Sequence, residues 1–275
     1  MSRGRADQLI QQLDKQVGGK GNIVLKKEFG VVMVLIAALL SGCESDKPAM
    51  VMQNTGQSSS KQVTAQSEKE NDLKIIKASQ NEEVKLYSIK ETKNGIEGVT
   101  LNISGSQKDF DWKIPDTGTE PQVFYTDLTG DGKEEAVIII QTGKGTGLDN
   151  FDIHVVNSED LTEIKVQSYE EIVAEQIETH VAKKGDGTLA ISVKAQGKEH
   201  NFNYGFDPVP DHKQDSLGFG GVYIYFLENQ KIKLNLVGSV GVSTTYVCEF
   251  NITYKFDSAE NEFFADQIEV KPIDL

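Results

Sequence analysis

Residues 136–140 read Ala-Val-Ile-Ile-Ile, apolar without a break. A strand with one wet face alternates, whereas a short unbroken apolar run is a strand covered on both sides. Whatever this chain folds into must therefore supply apolar partners above and below one central strand. Immediately before the run stands Asp-Leu-Thr-Gly-Asp-Gly-Lys-Glu-Glu, Asp127 to Glu135. Its glycines and short polar side chains are turn chemistry. On its other side Pro121–Gly130 opens as an apolar-polar strand, so the acidic segment joins a central pair of strands.

Alternation continues through most of residues 72–275. Val84, Leu86 and Ser88 alternate with Lys85, Tyr87 and Ile89. A second run, Gly95–Ser104, follows an Asn94-Gly95 hairpin signal and carries a bulge at Gly98. Gln107–Ile114 reads as a further strand, and Phe151–Val166 as strand, turn, strand. Gly143–Gly147 lacks the Gly-Lys-Ser/Thr ending of a phosphate-binding loop and is read as a hairpin-like loop. One segment is helical: Ser168 and Glu171 form a capping box, and Ile172, Val173, Ile177 and Val181 make an apolar stripe. The last third reads as a meander, turning at Glu228–Gln230 and at Asp257–Asn261. A long loop spans residues 207–221. The expected fold is mainly β (α+β), antiparallel-rich, with one amphipathic helix. One domain is the simplest account, and two subdomains split near the helix is the other.

The N-terminus has a different character. Lys26 and Lys27 precede an apolar run, Gly30 to Leu40, of signal-peptide length and too short to span a bilayer. It ends Leu40-Ser41-Gly42-Cys43. This segment resembles the bacterial lipoprotein lipobox. The resemblance implies cleavage before Cys43, diacylation of that cysteine, and a protein held at the extracytoplasmic face of the cell membrane. Two acyl chains suffice for stable anchoring. The expected organisation is a signal peptide over 1–42, a lipidated cysteine and disordered polar tether over 43–71, and a folded domain over 72–275. Residues 1–23 are polar and mixed in charge, and translation is expected to begin near Val24.

Charge narrows the partners. Of 28 Lys/Arg and 42 Asp/Glu, six and three precede Cys43, so residues 43–275 carry −17. Nucleic acid, which requires clustered cations, is excluded. So is electrostatic adhesion to anionic lipid, which leaves the acyl chains to hold the membrane. The second cysteine, Cys248, lies in an alternating strand and reads as core. His154, His180, His200 and His212 show no paired spacing for zinc, and no Gly-x-Ser-x-Gly is present.

The acidic segment is the candidate site. Oxygen donors at positions 1, 3, 5 and 9, a carbonyl at 7 and glycine at 6 suit a hard divalent cation. Here these are Asp127, Thr129, Asp131, Glu135, the carbonyl of Lys133, and Gly132. The stretch resembles the strand-loop-strand calcium motif of FG-GAP or VCBS-type repeats, with Thr129 replacing the usual Asn or Asp. It occurs once, so the resemblance implies a propeller-blade-like local unit and one structural calcium ion, not a propeller. The wider run Asp127–Ile164 and the late Ile252–Val270 resemble uncharacterised bacterial surface lipoproteins and secreted proteins with one such repeat, which implies no activity. The expected function is a non-enzymatic binding module at the cell surface with a protein or polysaccharide partner. Its rivals are a cell-envelope polymer hydrolase using an Asp/Glu pair, and an accessory subunit of an envelope or spore complex. Replacing Cys43 by serine is expected to abolish incorporation of labelled fatty acid and to leave the precursor uncleaved on a mass spectrum.

Overall fold

Strands β1 (Ile75–Ala78), β2 (Val84–Thr92), β3 (Gly95–Ile103) and β4 (Ser106–Pro115) form a four-stranded antiparallel sheet in sequence order. The structure is a computed structural model and describes residues 74–208, 213–241 and 245–273. The signal peptide, Cys43, the tether and His212 lie outside the described residues. The turn that joins β2 to β3 is Lys93-Asn94, one position before the expected Asn94-Gly95, and the register against β4 shifts between Glu97 and Val99 so that Gly98 alone faces Asp111 and Trp112: the bulge expected in β3 lies in β4, opposite Gly98.

Next come β5 (Gln122–Thr126), β6 (Glu135–Gly145), β7 (Leu148–Asn157) and β8 (Glu163–Val166), then helix α1 (Tyr169–Gln176). A three-stranded antiparallel sheet follows, made of β9 (Ile177–Lys183), β10 (Leu189–Ala195) and β11 (Lys198–Tyr204). The meander β12 (Val222–Glu228), β13 (Lys231–Val240), β14 (Thr245–Asp257) and β15 (Glu262–Pro272) completes the chain. Its first turn uses Asn229 and Gln230 at φ 51° and 55°, the two left-handed positions that a two-residue hairpin matched to strand twist requires. The large sheet runs β12-β13-β14-β15-β8-β7-β6-β5.

Two short parallel pairings shape that sheet. Glu262 and Phe263 of β15 pair with Lys165 and Val166 of β8. Val222 and Tyr223 of β12 pair with Asp149 and Asn150 of β7. The second returns β12 to β7, so the pairings from β12 through β15, β8 and β7 close into a ring. Closure depends on a close approach: the Tyr246 hydroxyl donates to the Gly147 carbonyl, and a β-carbon at Gly221 would overlap that hydroxyl.

Strand β6 divides two cores, as its unbroken apolar run demands. Ala136, Ile138 and Ile140 join Val84, Leu86, Val99, Leu101 and Trp112 of the four-stranded sheet. Val137 and Ile139 face the other way, into the core built from β7, α1, the three-stranded sheet and the meander. All five are at most 1 % exposed. Cys248 is buried in the second core, and desolvation pushes its thiol up to about 12, so it stays an inert hydrophobe at neutral pH. No described helix is long and apolar enough to cross a membrane.

The helix is shorter than its sequence stripe. The capping box forms as expected, with Ser168 accepting from the Glu171 N–H and Glu171 reaching back to the Ser168 N–H. The helix then ends at Gln176, and Ile177 is already extended at φ −126°, ψ 114°. Ile177 and Val181 belong to β9, where they oppose Ala195 and Ile191 of β10. His180 consequently sits within β9, opposite Ser192, not at a helix end. Pairing with β10 satisfies the β-branched segment Ile177–Val181 better than another helical turn does. Ile138→Ala, a truncation at full burial, is expected to cost about 2–5 kcal/mol by urea unfolding, whereas Ile89→Ala, on an exposed face, stays within about 0.5 kcal/mol.

Candidate functional site

The acidic segment forms a tight loop between β5 and β6, as the sequence implied. Gly130 and Gly132 take φ of 80° and 86°, left-handed values that cost a larger residue energy and glycine nothing. Asp127 folds back over the loop, accepting from the Gly130 N–H at 2.7 Å and from the Gly132 N–H at 3.0 Å. Asp131 accepts from the Lys133 N–H at 2.9 Å. The Lys133 ammonium turns outward to Glu159, 2.6 Å away and at the surface. Glu135 is different: it is 2 % exposed, and one carboxylate oxygen accepts from the N–H groups of Leu128 and Thr129 at 2.8 and 3.3 Å. The Thr129 hydroxyl reaches its other oxygen at 3.4 Å. Burial pushes the Glu135 carboxyl up, Asp131 and Asp127 push it further, and the two backbone donors only partly offset them.

The loop's own N–H groups hold Asp127, Asp131 and Glu135 separately, and Lys133 points its charge to Glu159. Among the described residues, no three His, Cys, Asp or Glu side chains stand as a metal cage. The donor set nonetheless fits a hard cation in chemistry. Every donor is an oxygen; each engaged Asp127 and Asp131 oxygen accepts one N–H and keeps a second lone pair, whereas one Glu135 oxygen accepts two N–H groups and leaves the other oxygen to a cation. Binding would draw the carboxylates inward from their present partners.

A second constellation was not legible in the sequence. One edge of β7 carries β6 along almost its whole length, from Glu135–Asn157 to Gly145–Leu148. The other edge is forked: β12 takes Asp149 and Asn150, β8 takes Val155 and Val156, and no strand pairs with residues 151–154 there. The fork opens into a cleft of about 460 Å³ whose lining includes Asp152, His154, Glu163, Lys165, Ser168 and Tyr225. On its β8 side Glu163 holds His154 at 2.6 Å, and Trp112 of β4 stacks on the imidazole at 4.1 Å and donates its indole N–H to Glu163. Burial opposes ionisation of Glu163, but the bonds from His154 and Trp112 outweigh it and hold the carboxyl below its ordinary value. Outside the cleft's lining, Tyr169 and Tyr223 stack at 4.5 Å. Asp152 lies between with its side chain exposed to solvent; the protein mass around it and Glu170 raise its proton affinity against the pull of His154. Burial and a hydrogen bond to Glu170 push the Tyr169 phenol up to about 12, so it remains protonated and a donor.

No known family model, no curated protein and no solved structure matches the chain.

In sequence Asp152 reads as one polar member of an alternating strand, and Tyr169 and Tyr223 lie 54 positions apart, so only the return of β12 to β7 brings them together. The one hint was the cluster Tyr223, Tyr225, Tyr246 and Tyr254 in a meander that needed only apolar residues. The buried acid of the loop yields a pH signature. A carboxyl raised in the folded state stabilises the fold while protonated. Glu135 therefore contributes stability below its ordinary 4.5 and loses it as pH rises through the raised folded value. Melting curves across that window should show the wild type falling relative to Glu135→Gln as pH rises; parallel profiles would mean that the carboxyl carries no burial penalty.

Proposed function

We propose that the protein is a lipid-anchored, extracytoplasmic binding module, tethered through Cys43, whose 127–135 loop takes one structural calcium ion. The observation that carries the calcium reading is Glu135, a buried carboxylate with two more acids raising its proton affinity and, among the described residues, no cation beside it. A divalent ion held by Asp127, Asp131 and Glu135, with the Thr129 hydroxyl and Lys133 carbonyl, would remove that repulsion. It would also fix the junction at which β6 enters between the two cores. The anchor rests on Leu40-Ser41-Gly42-Cys43, and the negative charge of the mature chain leaves the acyl chains as its hold on the membrane. The partner is a protein or polysaccharide at the cell surface, and no residue is assigned a catalytic role.

One observation favours a second reading, a cell-envelope polymer hydrolase. Asp152 and Glu163 line the same cleft with proton affinities displaced in opposite directions, as an acid/base pair requires.

Extracellular calcium sites of this kind bind at about 10⁻⁴ to 10⁻³ M. Calorimetric titration is expected to give one site in that range, and calcium at tenfold the dissociation constant should add about 1.4 kcal/mol, a rise of roughly 3–5 °C in Tm. Asp131→Ala should abolish both. Absence of heat and of any shift in the wild type would reduce the loop to a turn.

A further inference from the structure

The fork leaves part of the β7 edge without a partner. Along a strand, the N–H and C=O groups of every second residue point to the same side. Asp149 donates its N–H to the Gly221 carbonyl at 3.0 Å, and Asn157 donates to the Thr162 carbonyl at 2.9 Å. The odd-numbered residues of β7 therefore aim their backbone groups at the forked edge. There β8 takes Val155, and the β12 pairing ends at Asn150 with Tyr223, so it reaches no farther than the Phe151 N–H. The Phe151 carbonyl and both backbone groups of Ile153 have no partner among the described residues. The flanking strands are open in the same way. Tyr225, four positions on from Gly221, aims its backbone at β7, and so does Val166, two positions on from Ile164. The neighbouring Gln167 N–H goes the other way, to the Phe263 carbonyl at 2.8 Å. Ile153, Val166 and Tyr225 all line the cleft of about 460 Å³.

We propose that this edge of β7 takes an extended peptide of a partner protein as an added strand, with a basic side chain of that peptide beside Asp152. The proposal rests on the binding-module reading and names its partner. A row of unpaired N–H and C=O groups is a template for another strand; main-chain pairing supplies the affinity, and alternate side chains supply the specificity. The open length from Phe151 to His154 matches about three residues of extended chain, at roughly 3.3 Å each. A polysaccharide lacks the alternating main-chain donors and acceptors that such an edge pairs with. Charge selects the side chains. Residues of an added strand would alternate between the side where Ile153 packs on the second core and the side where Asp152 is exposed. The cations of the cleft are already engaged, Lys165 by Glu171 and Glu262 and His154 by Glu163, in a chain of net charge −14. Neither the calcium ion nor the membrane anchor is needed for this site.

The probe is the peptide acetyl-Val-Lys-Val-Lys-Val-amide, titrated by calorimetry into the full chain in detergent, with hydrogen exchange followed by mass spectrometry. The expected result is one saturable site and slowed exchange over residues 151–154, with the 127–135 loop unchanged. The peptide N-methylated at alternate amides keeps its side chains and loses the donors on one edge. Made in both registers, it should bind about tenfold or more weakly in at least one of them. Asp152→Asn should weaken the lysine peptide about two- to fivefold and leave the same peptide with threonine for lysine unaffected. Glu178→Gln, an exposed carboxylate on β9, should change neither, and thermal melting of each variant checks folding. No saturable binding, equal affinity of both methylated peptides and the parent, or protection at a different strand edge would overturn the proposal. So would slow exchange over 151–154 that depends on protein concentration without peptide, since a second copy would then hold the edge. Saturable binding of a soluble polysaccharide without any of the peptide would overturn it too, while upholding the binding-module reading. Loss of calcium binding in Asp131→Ala with peptide binding intact separates this site from the loop.

Discussion

Everything in this molecule is arranged around a strand that cannot show either face to water. Burying one Val or Ile side chain is worth roughly 1.5–3 kcal/mol, and β6 buries five apolar residues in succession. Two apolar layers are therefore obligatory. The four-stranded sheet supplies one, through Leu86, Val99, Leu101 and Trp112. The second is assembled from parts scattered along the chain: Phe151 and Val155 of β7, Ile172 of α1, Ile191 and Val193 of β10, and Leu234, Phe250 and Ile268 of the meander. The sheet curls back on itself because the meander must reach β6's far side while remaining joined to β15 and β8.

That return has a local cost and a local product. A strand edge offers one row of N–H and C=O groups, and β12 and β8 approach β7 from different directions, so each takes only part of it. The residues left over, 151–154, mark the mouth of the cleft. The same return brings Tyr223 of β12 against Tyr169 of α1 and both near Asp152 of β7. On the opposite wall Trp112 crosses from the four-stranded sheet to stack on His154 and bond Glu163. The cleft is thus lined by β7, β8, the cap of α1 and β12, and Trp112 of the other core contacts two of its lining residues, His154 and Glu163. The acidic loop is more self-contained. Its glycines, its aspartates and the buried Glu135 satisfy one another within nine residues, with β5 and β6 fixing only its ends.

Where the physics is local, the sequence was a good guide. Alternation marked β2 to β5, β7, β8 and the meander, the unbroken run marked β6, the hairpin signals fell within one position of the turns, and the Ser168–Glu171 box opened the helix. The burial of Cys248 was likewise visible from neighbours alone, whereas the bulge expected in Gly98's own strand lies across from it in β4. The extent of the helix was not, because Ile177 and Val181 fit a helical stripe and a strand equally well. Their partners Ala195 and Ile191 lie 18 and 10 positions away, and only that pairing settles the matter. The strands β9 to β11 went unread for the same reason, although Leu189–Ala195 alternates and Gln196-Gly197 is a plausible hairpin turn.

By itself, then, the sequence determined an antiparallel-rich β domain, a tight acidic loop between two strands, and a strand covered on both faces. Each depends on residues within one turn or one strand of each other, where sequence distance and spatial distance agree. Tertiary structure alone decided the two-core layering, the closing of the ring through Val222 and Tyr223, and the cleft at the fork of β7. Those rest on pairings between residues some 70 positions apart, such as Asp149 with Val222. Their partners are chosen by the shape and hydrogen bonding of the whole sheet, and no short stretch of chain carries that information.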